Sequence, residues 1–246
     1  MTEANTTYSE RGCNNVINNT GTYIILSVLL ALAVTVVHFL FAKADIHLWL
    51  NSYHTPLQDN IWKYYTYAGE WIPYVIAALL LFYRFGYAAF LLADIVLSGI
   101  IAQIIKHIVC SERPLLYFIN HYPDIKLPLV EGVGMNMYFS FPSGHTTTFF
   151  AMMFVLAIVF TDCVSSHQDA EKKDKQTVFT NLLVSLICFL FAVAGAYSRI
   201  YLNQHFLEDI FGGIIIGISS TMLLIPFALR LGERKWWQLN LIRLFC

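Results

Sequence analysis

The chain has 246 residues, 57% hydrophobic and only 13% charged, whereas soluble domains carry about 25% charged residues. Its 15 Lys+Arg and 16 Asp+Glu cannot coat a water-facing fold of this size, so a soluble domain is excluded and a bilayer is implied. The net charge of -1 removes the basic excess that nucleic-acid binding requires.

Residues 1–21 form a polar N-terminal tail with Arg11 as the only basic residue. The uncharged run 22–42 follows. At about 1.5 Å of rise per residue it is long enough to cross a hydrocarbon core, and it exceeds a signal peptide's apolar region. It is expected to be a retained transmembrane anchor. Residues 43–70 are polar but rich in Trp49, Tyr53, Trp62, Tyr64, Tyr65 and Tyr67. Such amphipathic rings favour headgroups, so this segment is expected to lie along one membrane face, as an aromatic belt or as a grip on lipid.

Further spans are predicted over 71–83, 85–105, 146–160, 178–197 and 206–229, giving an all-α, six-transmembrane helix bundle as a single domain over 1–246. Asp94 lies inside the third span, where a lone acid is read as a packed hydrogen-bond acceptor. Gly213 and Gly217 form a GxxxG step suited to close helix packing. Cys13, Cys110, Cys163, Cys188 and Cys246 are odd in number and contain no CxxC pair, so they read as free thiols.

An even number of spans puts both termini on one side. Arg11, Arg84, Lys172, Lys173, Lys175, Arg230, Arg234, Lys235 and Arg243 fall on that side; Lys43, Lys63, Lys106, Arg113, Lys126 and Arg199 fall on the other. The excess predicts cytoplasmic termini and an outer position for the loops before spans four and six.

Three clusters at span ends share the predicted outer face: Lys106 to Arg113-Pro114, Pro142-Ser143-Gly144-His145, and Ser198-Arg199 through His205 to Asp209. Lys106, Arg113 and Arg199 supply the charge and forked donors that suit a phosphate dianion. Lys106 and Arg113 are seven residues apart, so they share a helical face if the helix persists to Pro114. Ser143 and Gly144 precede the fourth span, where helix-start N–H groups attract anions. His205 and Asp209 have i,i+4 spacing, so the carboxylate can hold one ring nitrogen while the other attacks. His145 can protonate a departing alkoxide and then activate water. His38, His47, His54, His107 and His121 lack such a partner pattern and read as interfacial or core residues, with His107 pointing off the site face.

K-x6-R-P, P-S-G-H and S-R-x5-H-x3-D, in this order, resemble the three-part signature of the type 2 phosphatidic acid phosphatase superfamily, in its bacterial membrane lipid phosphatase branch. The resemblance implies phosphate binding by Lys106, Arg113, Ser143, Gly144 and Arg199, a phosphohistidine on His205 supported by Asp209, and acid catalysis by His145. No metal or other cofactor is expected, since three cations around two histidines repel a divalent ion. The expected partners are a lipid phosphate and the bilayer, with no nucleic acid and no required protein. The expected location is a bacterial inner membrane with the active site outward. Lipid A is the first substrate suggested, with undecaprenyl diphosphate, phosphatidylglycerol phosphate and phosphatidic acid as alternatives. A haloperoxidase fits poorly with six spans, and a non-catalytic anion transporter needs no His-Asp pair.

Overall fold

Long apolar runs broken by Arg, Pro and Gly give a helical protein whose computed structural model describes residues 3–165, 175–232 and 234–242. Its elements are α1 (Glu3–Leu40), α2 (Lys43–Leu50), α3 (Pro56–Tyr83), α4 (Phe85–Val109), α5 (Pro114–His121), α6 (Gly144–Ser165), α7 (Lys175–Tyr201), α8 (Leu207–Gly232) and a 3₁₀ turn, Lys235–Gln238. Among the described residues, five helices are long and apolar enough to cross a membrane, and α3, bent by 49° between Pro56–Tyr67 and Gly69–Tyr83, makes a sixth if counted as one span. Lys172, Lys173, Arg243 and Cys246 lie outside the described residues.

Two expectations change. The polar tail is not separate from the first span, because α1 is helical from Glu3 onward. The second span does not begin at Trp71. Pro56 at the first helical position and Thr55, whose hydroxyl accepts from Gln58 N–H, start α3 well upstream. Residues 71–83 alone would rise only about 20 Å, short of the roughly 30 Å hydrocarbon core. The segment read as lying along the interface therefore includes the first part of a bent span. The loop between the third and fourth spans carries an additional short helix, α5, opened by Pro114.

α6 forms the centre of the bundle. Phe150, Ala151, Met152, Phe154, Val155 and Ala157 are fully buried, and α1, α3, α4, α7 and α8 all pack on this helix. Small residues set the approach distances: a Cβ on Gly217 would lie 2.7 Å from the Thr147 carbonyl oxygen, and one on Gly213 would lie 2.6 Å from Thr146 Cβ. The GxxxG step thus seats α8 directly on α6. Phe149 fills the space left by Gly69 and Gly195, where a Cβ would come within 2.4 Å and 2.3 Å of its ring. Asp94 is buried in α4 and accepts from Ser220 Oγ at 2.6 Å and from Thr221 Oγ1, as its isolation among apolar residues requires. Leu79, Val96, Ile104, Phe179, Phe191 and Phe227 face outward, the pattern of helices solvated by lipid.

The chain reversals sort polar groups to the two ends. One end holds the α3–α4 turn, where Arg84 meets Asp162 at 3.5 Å and Phe85 N–H donates to the Leu239 carbonyl at 2.8 Å. The other gathers the C-terminal ends of α4 and α7 and the N-terminal ends of α6 and α8, with Lys43 and Glu208 paired at 2.8 Å beside them.

Candidate active site

Lys106, in the last turn of α4, Arg113, in the loop beyond it, and Arg199, in the last turn of α7, are 7%, 8% and 7% exposed. Lys106 and Arg113 do not share one helix, contrary to the spacing argument. α4 ends at Val109, and Cys110 takes a left-handed conformation with φ 46°, a common helix stop. Ser111 to Arg113 instead run antiparallel to the segment entering α6: Arg113 N–H donates to the Met137 carbonyl at 2.8 Å and Ser140 N–H to the Ser111 carbonyl at 3.1 Å. This pairing returns Arg113 to the neighbourhood of Lys106.

The three cations donate to neutral oxygens. Lys106 Nζ reaches the Phe139 carbonyl at 2.9 Å, and Arg113 Nε the Tyr138 carbonyl at 3.0 Å. Arg199 Nη1 reaches Thr66 Oγ1 at 2.7 Å. Arg113 Nη1 and Arg199 Nη2 both donate to Gln204 Oε1, at 2.9 Å and 3.4 Å. Among the described residues none of the three forms an ion pair, and Arg199 Nε is buried without a hydrogen-bond partner. Burial lowers the pKa of Arg113 from its ordinary value. Three desolvated cations held by dipoles rather than carboxylates are an arrangement that can attract an anion.

Ser143 caps α6: its Oγ accepts from Thr146 N–H at 3.3 Å and Thr146 Oγ1 at 2.9 Å, while its own N–H donates to the Asp209 carbonyl at 2.9 Å. The Gly144 and His145 N–H groups in the first turn have no acceptor within the helix. His145 Nε2 is 3.1 Å from Glu70 Oε1 on α3, next to the bend.

His205 and Asp209 meet, but not along one helical face. His205 precedes α8, and Asp209 sits in its first turn and reaches back. His205 Nδ1 lies 3.4 Å from Asp209 Oδ2, which also accepts from Phe206 N–H at 2.7 Å and Ser140 Oγ at 2.5 Å. His205 is 1% exposed. Its pKa is held well below 6.5, first by burial and then by Arg113, Arg199 and Lys106, with a hydrogen bond to the Ser140 backbone opposing.

All eight predicted site residues therefore gather at one end of the bundle. Gln204, Thr66, Ser140 and Glu70 join them without having been marked by the sequence. Gln204 lies in an unspecified motif position, and Thr66 and Glu70 lie in the segment read as interfacial. For Thr66 and Glu70, only the chain's return in space brings them to the site. Among the described residues, the five other histidines stay outside it. His47 is buried, 2.9 Å from Asn203 Oδ1; His54 is 2.9 Å from Asp59; His107 is exposed and bonded to the Gln103 carbonyl. His38 and His121 lie 3.6 Å from Glu208 and Glu112. Among the described residues, no group of three or more His, Cys, Asp or Glu is placed to hold a metal ion.

Known proteins share this arrangement of helices. The chain is 24% identical over 193 residues to a lipid A 4'-phosphatase of Porphyromonas gingivalis, covering 74% of this chain and 70% of that protein. It is 25% identical over 190 residues to lipid phosphate phosphatase 2 of Arabidopsis thaliana, covering 69% of this chain and 63% of that one. In fold it matches the crystal structure of Aquifex aeolicus LpxE with a TM-score of 0.55, at 24% identity over 76% of this chain and 93% of that one. It also matches a transmembrane PAP2-type phosphatidylglycerolphosphate phosphatase of Bacillus subtilis with a TM-score of 0.57, at 20% identity over 88% and 98%. The family model of the PAP2 superfamily matches residues 86–233, from α4 through the end of α8. With more than half of its length covered by that match and the three motifs brought together within it, this integral membrane protein belongs to the PAP2 superfamily.

Proposed function

We propose that this protein is a membrane lipid phosphatase that removes a phosphate monoester or terminal pyrophosphate group through a phosphohistidine intermediate. The observation that carries the reading is the presence of three buried cations that form no ion pair among the described residues, around a buried histidine. Lys106, Arg113 and Arg199 bind the phosphate oxygens, joined by the first-turn N–H groups of α6 at Gly144 and His145. Ser143 supports them as the helix cap and through its hydroxyl.

Asp209 engages His205 Nδ1, which makes Nε2 the attacking nitrogen. Nε2 forms the N–P bond as the ester or anhydride P–O bond breaks, and His145 gives its proton to the departing oxygen. A water then attacks phosphorus, His145 takes its proton, the N–P bond breaks and inorganic phosphate leaves. No metal is required, because the cations already stabilise the charge that a metal would. The site lies at helix ends, where a lipid can keep its acyl chains in the bilayer while its headgroup reaches the cradle. Lipid A is placed first among substrates, supported by the similarity to the P. gingivalis lipid A 4'-phosphatase. Undecaprenyl diphosphate, phosphatidylglycerol phosphate and phosphatidic acid are the alternatives.

The test is phosphate release by purified wild type and His205→Ala from a panel of these lipids, with excess chelator present. The wild type is expected to hydrolyse at least one lipid and the variant to fall by on the order of a thousandfold or more. A folded wild type that releases phosphate from none of them overturns the reading. A fully active His205→Ala removes the phosphohistidine, and a metal-reversible loss in chelator removes metal independence.

A further inference from the structure

Gln204 has no role in the chemistry above, yet it lies between two of the three cations. It is 2% exposed. Its Oε1 accepts from Arg113 Nη1 at 2.9 Å and from Arg199 Nη2 at 3.4 Å. Guanidinium groups have only donors, so the amide oxygen must face them and the NH2 group must point away. Nε2 does so, donating to the Gly134 carbonyl at 3.1 Å and the Leu202 carbonyl at 3.4 Å and contacting Met135 Sδ at 3.1 Å. Both ends of the amide are thus engaged and its orientation is fixed.

Two buried guanidinium groups repel each other, and an uncharged side chain of this length relieves the repulsion at a shared acceptor without cancelling either charge. A carboxylate in the same place would hold the arginines equally well and neutralise part of the field that a phosphate needs. We propose that Gln204 is a positioning residue that sets the separation of Arg113 and Arg199 for phosphate while keeping both charges available, and that fastens the Gly134–Met135 stretch beside them. The proposal rests on the phosphate-binding reading of the cradle.

The test compares wild type, Gln204→Glu and Gln204→Met by calorimetric binding of orthovanadate and inorganic phosphate, by thermal unfolding, and by KM and kcat on the best lipid substrate. Gln204→Glu is expected to remain folded, to bind both anions at least about tenfold more weakly and to show a matching rise in KM. Gln204→Met, which frees the arginines without neutralising them, is expected to weaken binding by roughly threefold. Wild-type affinity in Gln204→Glu overturns the proposal, and so does equal weakening in the two variants, since a packing role would not distinguish them. Should Gln204→Glu fail to fold, wild-type affinity in Gln204→Met overturns it alone. A wild type that binds the anions but hydrolyses no lipid refutes the phosphatase reading and leaves the Gln204 result standing. A wild type that binds neither anion refutes both.

Discussion

A buried imidazole next to three cations stays neutral far below the pH at which a free histidine charges, because its protonated form would face like charges in a desolvated site. His205 is in this position, so its lone pair is available without prior deprotonation. Removing a cation relieves the repulsion and must raise the His205 pKa. In Arg113→Gln, the acid limb of kcat/KM should therefore move to higher pH, by on the order of one unit, along with a general loss of phosphate affinity. Profiles measured on the same substrate cancel its own ionisation, and an unmoved limb would show that His205 does not titrate against Arg113. At this scale the motifs are legible because their chemistry needs particular side chains: residue type and spacing mark Lys106, Arg113, His145, Arg199, His205 and Asp209 as candidates, and the fold brings them together. Gln204 and Glu70 are not so marked. An amide between arginines or a carboxylate beside His145 has no local pattern, and Glu70 reaches its partner across 75 residues of sequence.

Helix geometry decides whether these side chains stay in register. The α6 N-terminus carries Ser143 and His145 and the α8 N-terminus carries Asp209, so the spacing of the two helices is also the spacing of these proposed catalytic groups. A Cβ on Gly213 would lie 2.9 Å from the Ser143 carbonyl oxygen, and one on Gly217 would lie 2.7 Å from the Thr147 carbonyl oxygen and 3.0 Å from Ala151 N. Backbone cannot step aside as a flexible side chain can. Gly213→Ala and Gly217→Ala are each expected to cost about 1–3 kcal/mol of stability by overpacking. Gly213→Ala should also lower kcat/KM by on the order of a hundredfold, because it pushes directly on the Ser143 turn. Gly217→Ala, a helical turn farther from the site, should lose less activity for a similar drop in Tm. Equal activity losses would mean that the two positions act through global stability alone. The elements themselves were read unevenly. Unbroken apolar runs showed α4, α6, α7 and α8, but hydropathy hid the first part of α3, where Trp62 and Tyr65 pack on Tyr197 and Phe149 and Thr66 binds Arg199. Those residues look interfacial in sequence and serve the interior in space. The seven-residue interval from Lys106 to Arg113 suggested one helix, and the left-handed turn at Cys110 has no comparable signature.

For the whole molecule, the consequence of this architecture is sidedness. The site occupies one end of the bundle, while the Arg84–Asp162 pair and the 3₁₀ turn lie at the other. Alternating the spans along the sequence assigns nine Lys and Arg to the loops and termini of that second side and six to the site side, which predicts that the second end faces the cytoplasm and that the site faces outward. Cys110, exposed beside the Lys106 turn, is a natural reporter of the site end, and Gln238, exposed on the 3₁₀ turn, marks the opposite end. In a variant with Cys13, Cys163, Cys188 and Cys246 replaced by serine, a membrane-impermeant maleimide should modify Cys110 in intact right-side-out vesicles. When Cys110 is also replaced and Gln238→Cys introduced, labelling should require permeabilised vesicles. The reverse pattern would place phosphate release on the cytoplasmic face. Since Cys110 borders the cradle, preincubation with orthovanadate should also slow its labelling if the anion sits at Lys106 and Arg113. Labelling on the expected side, unaffected by orthovanadate, would support the orientation but place the bound anion away from that turn.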